Sequence, residues 1–141
     1  MRIVIETPKY SFLKYRKVGS QFKTEFISPI PALFNYGFVD KSLSEDGMEK
    51  DVVVIGPRMR QGTVLERAYF DGVVRFVDDG MRDDKHIVYI SGHFPVGLFS
   101  FYFRVYALFK FFLYLVFKGK VSRCRFEGID FPASCSIYVL E

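Results

Sequence analysis

The chain has 141 residues, of which 50% are hydrophobic and 26% are charged, so it is long enough to bury a sizeable core. This composition excludes intrinsic disorder, and 11 glycines with 6 prolines exclude a collagen-like or linker-like chain. The formal net charge of +4 is only mildly basic and does not by itself indicate a nucleic-acid partner. We expect one domain over residues 1–141.

The chain up to Ile90 favours short strands bounded by turn residues. The predicted strands are Arg2–Glu6, Lys14–Val18, Gln21–Ile27, Asp51–Ile55, Thr63–Phe70, Val73–Val77 and His86–Ile90. The pairs Gly19-Ser20 and Asp71-Gly72 predict hairpin turns between neighbouring strands. Strands of this length and spacing predict a small antiparallel barrel.

Residues 98–117 read LFSFYFRVYALFKFFLYLVF, long enough to span a bilayer. Arg104 and Lys110 are unfavourable at bilayer depth, so a membrane anchor is the least favoured interpretation. We predict instead an amphipathic helix over Ser100–Phe117, with its charges on the solvent side and the rest buried, in part by a partner chain. Val121–Phe126 and Ser134–Leu140 are predicted as short strands or an extended tail. The predicted fold class is α+β: an OB-like antiparallel β-barrel with one long C-terminal helix.

Two cysteines, Cys124 and Cys135, make neither a disulfide scaffold nor a four-ligand zinc site. We expect two reduced thiols in a cytoplasmic protein, and whether they ever pair stays open. We expect no signal peptide at the N-terminus, because Glu6 interrupts a short apolar run.

Carboxylates concentrate in residues 46–51 (DGMEKD) and 78–85 (DDGMRDDK). Carboxylates packed this densely repel each other unless a cation lies between them, and hard oxygen ligands favour Mg²⁺ or Mn²⁺. Lys50, Arg82 and Lys85 are candidates to contact a phosphate group. The alternative is that both segments are solvated turns.

Other chemistry has weaker support. The sequence contains no glycine-rich phosphate loop of standard spacing, and His86 and His93 are isolated. A basic, aromatic segment around Lys14 to Lys23 is compatible with a nucleic-acid face, but the acidic middle of the chain would repel phosphate in the absence of metal.

The order of motifs resembles the soluble, Mg²⁺-dependent inorganic pyrophosphatases of the β-barrel type. The matching segments cover roughly residues 3–90 and are Val4–Glu6, Lys14-Tyr15, Phe34–Phe38, Ser44–Val54, Gly62–Val64 and Gly72–Ile90. Over residues 100–128 the resemblance is weaker, with a Phe-rich helix, Lys118-Gly119-Lys120 and Glu127-Gly128.

This resemblance implies a set of site residues. Those implied for metal are Asp46, Asp51, Asp78 and Asp83, with Glu6 in the outer shell; those implied for phosphate are Lys14, Tyr36 and Lys85. The implied reaction is hydrolysis of inorganic pyrophosphate, or a related small phosphoanhydride, by metal-activated water with Mg²⁺ as cofactor. The resemblance also implies a homo-oligomer (trimer or hexamer), and we expect no nucleic-acid or membrane partner.

The chain departs from the family at several functional positions. Met48 replaces the acid that handles the attacking water, and the next residue, Glu49, is a weak candidate for its role. Glu25 replaces a phosphate-binding arginine, and Arg16 replaces a glutamate. The helical tyrosine–lysine pair of the family has no clear counterpart, since Tyr114 is followed by leucine. We expect reduced efficiency; the alternative is a non-catalytic relative that binds metal or phosphate or acts in assembly.

Overall fold

The computed structural model describes residues 1–41, 49–92 and 94–130, and its elements largely follow the apolar pattern of the sequence. The elements are β1 (Arg2–Thr7), β2 (Leu13–Val18), β3 (Gln21–Ile27), β4 (Asn35–Val39), β5 (Asp51–Ile55), β6 (Val64–Glu66), β7 (Gly72–Asp78), β8 (Met81–Arg82), β9 (Lys85–Tyr89), α1 (Val96–Lys118) and β10 (Arg125–Asp130).

The main sheet has the strand order β10-β7-β9-β5-β4-β1-β6, and β8 pairs with β7. The pairings are antiparallel except for β5 and β9, which run parallel with Asp51 opposite Lys85. Strands β2 and β3 form a separate hairpin around Gly19-Ser20, which confirms the first predicted hairpin.

Both faces of the main sheet carry apolar clusters, and β5 contributes to each of them. Val53 and Ile55 belong to the cluster that packs against α1. Val52 and Val54 belong to the opposite cluster, which includes residues of β1. Because successive side chains of a strand point to opposite faces, the apolar run DVVVI suits a strand buried on both sides.

Helix α1 begins four residues before the predicted start. Gly119 caps its C-terminus in the left-handed conformation, with φ of 58°, and donates its N–H to the Tyr114 carbonyl. Its buried residues are Phe99, Tyr102, Phe103 and Ala107. Its strongly exposed apolar residues are Leu98, Phe101, Leu108, Phe112, Leu115, Val116 and Phe117. The expectation of burial on most sides is therefore wrong for the single chain. By length and composition alone, α1 is long and apolar enough to cross a membrane. Core helices of soluble proteins meet the same criterion.

Two further expectations need correction. The hairpin predicted at Asp71-Gly72 is wrong, because β6 pairs with β1 and β7 pairs with β9 and β10. Asp71 instead accepts the Tyr89 backbone N–H through its carboxylate at 2.7 Å, which joins that turn to β9. The last described strand is Arg125–Asp130 rather than Val121–Phe126, and Ser134–Leu140 lies outside the described residues.

The contact between β1 and β4 leaves no room for a side chain at Gly37. A Cβ there would lie 2.2 Å from the Val4 carbonyl oxygen. We expect Gly37→Ala to destabilise the protein by about 2–3 kcal/mol, because backbone must move to admit the methyl group. Gly97→Ala is the matched control, since nothing lies within 4 Å of its Cβ position. The check is the urea midpoint of each variant, and equal midpoints would contradict the steric argument.

Candidate functional site

A cavity of about 580 Å³ is lined by residues of the main sheet, the β2–β3 hairpin and α1. It gathers every residue that the family resemblance implies for metal or phosphate and that the structure describes: Glu6, Lys14, Tyr36, Asp51, Asp78, Asp83 and Lys85. Lys50, a further candidate for phosphate, does not line the cavity. Asp46 and Met48 lie outside the described residues. The two substituted positions, Arg16 and Glu25, line the same cavity.

Lys85 is the most buried charged group of the site, with 1% of the residue exposed. Its ammonium lies 3.0 Å from an Asp51 carboxylate oxygen and 2.6 Å from one of Asp83. The rings of Tyr36 and Phe76 cover it at 5.7 and 5.3 Å. Burial alone would lower the pKa of Lys85, but the two carboxylates raise it above its ordinary value, so the lysine stays charged.

The two carboxylates beside Lys85 are not equivalent. Burial raises the pKa of Asp83 to about 6, and the Asp51 charge adds to that rise. Burial also opposes ionisation of Asp51, but Lys85 and Lys14 together hold the pKa of Asp51 below its ordinary value. One lysine between two carboxylates therefore leaves the pair short of positive charge, which a divalent cation could supply.

Lys14 also contacts Tyr36, with its ammonium 3.8 Å from the centre of the Tyr36 ring. Burial lowers the pKa of Lys14, and its carboxylate partner is Glu25 at 3.9 Å. Glu25 lies where the β2–β3 register shifts between Lys14 and Tyr15. Glu25, which stands where the resemblance implies an arginine, thus pairs with the lysine that the resemblance implies for phosphate.

Glu6 and Glu49 are held by backbone donors. The Glu6 carboxylate accepts the Lys17 N–H at 2.6 Å, and burial raises the pKa of Glu6. The Glu49 carboxylate accepts the Lys41 N–H at 2.9 Å at the edge of the cavity.

The second acidic segment divides its carboxylates between the cavity and the surface. Asp79 and Gly80 have φ of 54° and 79°, which fits a two-residue turn between Asp78 and β8. Asp78 faces the cavity, whereas Asp79 pairs with Lys120 at 2.7 Å. Asp84 pairs with Arg75 and Arg82 at 3.2 Å each. Because Arg82 pairs with Asp84, it is not among the cavity residues, and the interpretation of Arg82 as a phosphate contact is wrong.

The structure adds residues that sequence reasoning missed. Tyr106, Lys110 and Tyr114 follow at four-residue intervals along α1 and line the cavity. Lys110 is only 11% exposed as a side chain and lies 3.3 Å from Asp78, so the prediction that it marks the solvent side is wrong. The polar tips at i, i+4 and i+8 in an otherwise apolar helix were the available signal.

Cys124 lies beside the same carboxylate, with its sulfur 3.6 Å from an Asp78 oxygen. Burial raises the pKa of the Cys124 thiol. Cys135 lies outside the described residues. Within the described ranges, no three acidic, histidine or cysteine side chains converge closely enough to hold a metal ion by themselves.

Comparison with known proteins gives one consistent family. The sequence profile described as "Pyrophosphatase: Inorganic pyrophosphatase" matches residues 3–95. The inorganic pyrophosphatase of Haemophilus influenzae is 39% identical over 92 residues, which cover 60% of this chain and 51% of that protein. That of Neisseria meningitidis serogroup A is 44% identical over 59 residues, 39% of this chain and 33% of that protein. The chain thus spans about half of the length of the first of these curated relatives and about a third of the second.

Solved structures of the same name share the fold over nearly the whole chain. An inorganic pyrophosphatase from Neisseria gonorrhoeae aligns with a TM-score of 0.71 at 26% identity, over 98% of this chain and 86% of that one. One from Thermus thermophilus aligns with a TM-score of 0.75 at 21% identity, over 96% and 84%. These likenesses confirm the predicted α+β fold, an OB-like barrel with one long C-terminal helix.

The Lys85 cluster makes a testable contribution to stability. In metal-free protein, Lys85→Met leaves Asp51 and Asp83 facing each other without a cation, and we expect a loss of about 3–5 kcal/mol. Adding Asp83→Asn removes one of those charges and should regain part of the loss. Lys120→Met, which breaks the more exposed pair with Asp79, should cost about 1 kcal/mol or less. Urea unfolding measures all three, and a Lys85→Met loss no larger than that of Lys120→Met would contradict the analysis.

Proposed function

This chain belongs to the inorganic pyrophosphatase family, and we propose that it hydrolyses inorganic pyrophosphate to two phosphates in a Mg²⁺-dependent reaction. The observation that carries the proposal is the single cavity in which carboxylates and buried lysines from distant parts of the chain meet. Such a mixture binds a polyanion and cations together, whereas a purely basic or purely acidic pocket would bind one of them alone.

The donor chemistry of the cavity fits a hard divalent cation. The carboxylates of Asp51, Asp78 and Asp83 are oxygen ligands of the type that Mg²⁺ takes, and Mg²⁺ is commonly completed by water and substrate phosphate. Asp46 is proposed as a further ligand, and Glu6 as an outer-shell partner. When bound, the metal would polarise phosphoryl oxygens and lower the pKa of a water molecule.

The remaining chemistry belongs to the side chains of the chain. We propose that the ammonium groups of Lys14 and Lys85 hold phosphate oxygens and stabilise the charge of the leaving phosphate. We propose that Tyr36, whose ring both lysines contact, serves as a hydrogen-bond donor, since burial raises the pKa of Tyr36 and keeps its hydroxyl protonated. Each lysine already faces a carboxylate, so substrate oxygens would compete for a preformed ion pair.

Met48 limits the rate in this proposal, because a thioether cannot accept the proton of the attacking water. Losing a general base typically costs about 10²–10⁴-fold. A second candidate function, binding of metal or phosphate without hydrolysis, has its own support in the Lys14–Glu25 ion pair. That pair gives Lys14 an internal anion where the resembling family carries an arginine.

We further propose that the protein works as a cytoplasmic homo-oligomer, a trimer or hexamer. The exposed apolar side chains of α1 support this proposal, because contiguous apolar surface of this kind commonly marks an interface.

The first test is phosphate release from pyrophosphate with Mg²⁺ titrated from zero. We expect Mg²⁺-dependent turnover that falls on the order of 10²-fold or more in Asp78→Asn, which removes a proposed ligand. Asp79→Asn is the matched control, since it changes the adjacent acid outside the cavity and asparagine tolerates its positive φ. Equal losses in both variants would reject the assigned site, and absence of turnover at any Mg²⁺ concentration would reject hydrolysis of pyrophosphate.

The second test restores the missing acid. Met48→Asp should raise turnover on the order of 10²-fold, because a carboxylate can again accept a proton from water. Met81→Asp adds the same charge at an exposed position outside the cavity and should leave turnover unchanged. Steady-state rates at saturating Mg²⁺ measure the effect, and a Met48→Asp rate equal to the wild type would show that residue 48 does not limit the reaction.

A further inference from the structure

Lys110 is a largely buried cation that pairs with the carboxylate of Asp78. Its side chain is 11% exposed, and its ammonium lies 3.3 Å from Asp78. Its other close neighbours are aromatic rings: those of Phe26 at 5.5 Å and Tyr114 at 5.6 Å. Rings stabilise a cation weakly compared with a carboxylate, so Asp78 is the stronger of these partners of the ammonium.

A bound metal would compete with Lys110 for Asp78. The inference rests on the proposed function, in which Asp78 is a metal ligand. A divalent cation held by the Asp78 carboxylate would compete with Lys110 for that carboxylate and would repel the ammonium, because like charges repel. The ammonium would then be both repelled and unpaired in a largely buried position, a costly state.

An anion in the cavity removes this conflict. Lys110 and Tyr114 lie one helical turn apart, and both line the cavity wall that Asp78 shares. A phosphate oxygen beside Lys110 would replace the lost carboxylate and would also ligate the metal. Metal bound without an anion would leave the Lys110 ammonium without a carboxylate partner. An anion bound without metal must compete with Asp78 for Lys110. The binding of each ligand therefore favours the binding of the other.

We propose that Lys110 is an anion receptor that metal binding at Asp78 releases, and that it couples the binding of divalent metal and phosphate in this cavity. The coupling is reciprocal: phosphate raises the affinity for Mg²⁺ by the same factor as Mg²⁺ raises the affinity for phosphate. A factor of about 10 lies within the usual range for such coupling.

Isothermal titration calorimetry with Mg²⁺ and inorganic phosphate tests the proposal without turnover. The affinity for each ligand is measured with and without the other, corrected for Mg²⁺–phosphate complexation in solution. In the wild type we expect about tenfold tighter binding of each ligand when the other is present. In Lys110→Met the factor should fall towards one, and Mg²⁺ alone should bind more tightly than to the wild type because no ammonium opposes it.

Arg104→Met is the control on the same helix, since Arg104 is exposed and is not a cavity residue; it should keep the wild-type coupling. Lys110→Gln serves if Lys110→Met fails to fold, as judged by circular dichroism. Wild-type coupling in the Lys110 variant, or Mg²⁺ affinity that does not rise, would overturn the inference. Coupling without turnover would support the inference and reject the hydrolysis proposal, whereas turnover with unchanged coupling would reject the inference alone. Failure of the wild type to bind either ligand would reject both.

Discussion

The ion triplet of Lys85 with Asp51 and Asp83 is the constraint on which the site depends. Parallel pairing of β5 with β9 sets Asp51 opposite Lys85, and Asp83 enters from the segment just before β9. A buried lysine is tolerable only because two carboxylates and two aromatic rings surround it. A one-residue slip between these strands would place the ammonium on the apolar face among valines, so the charges help to enforce the register.

In the proposed function, the same triplet leaves the cavity able to respond to ligands. A cluster with balanced charge would have little tendency to bind a further ion. One lysine cannot balance the charge of two carboxylates, and the raised pKa of Asp83 is consistent with this shortage of positive charge. Lys14 with Glu25 and Lys110 with Asp78 surround the triplet with further pairs. Lys85, Lys14 and Lys110 therefore each have a carboxylate partner for which ligands could compete.

Sequence reasoning could predict the strands and much of the site because both leave local signatures. The run Asp51–Ile55 predicts a buried strand by composition, and the order of motifs locates the cavity carboxylates by resemblance. β4 (Asn35–Val39) was missed as a strand because asparagine and glycine, which are uncommon in strands, interrupt its short apolar run. The Asp71-Gly72 hairpin failed because β6 finds its partner in β1, a distant strand that no turn signal reveals.

Lys110 shows a different limit of prediction from sequence. Helical periodicity assigns charges to solvent, and that rule holds for Arg104, which is exposed on α1. It fails for Lys110 because the surface opposite α1 there is a polar cavity rather than an apolar core. Whether a charged residue in an apolar helix faces solvent or a polar cavity therefore cannot be decided until the surface that packs against the helix is known. Tyr106 and Tyr114, one turn to either side, share that wall.

The departures from the family pattern should affect the affinity for ligands and the rate of hydrolysis differently. Arg16 and Glu25 reverse charge in opposite directions on the same hairpin and both line the cavity, so their effects on its net charge cancel. Met48 removes a single negative charge. Long-range attraction of a phosphate anion depends on net charge and survives such exchanges, whereas proton transfer depends on one group at one position and does not. The cavity should accordingly keep its affinity for metal and phosphate better than its rate of hydrolysis.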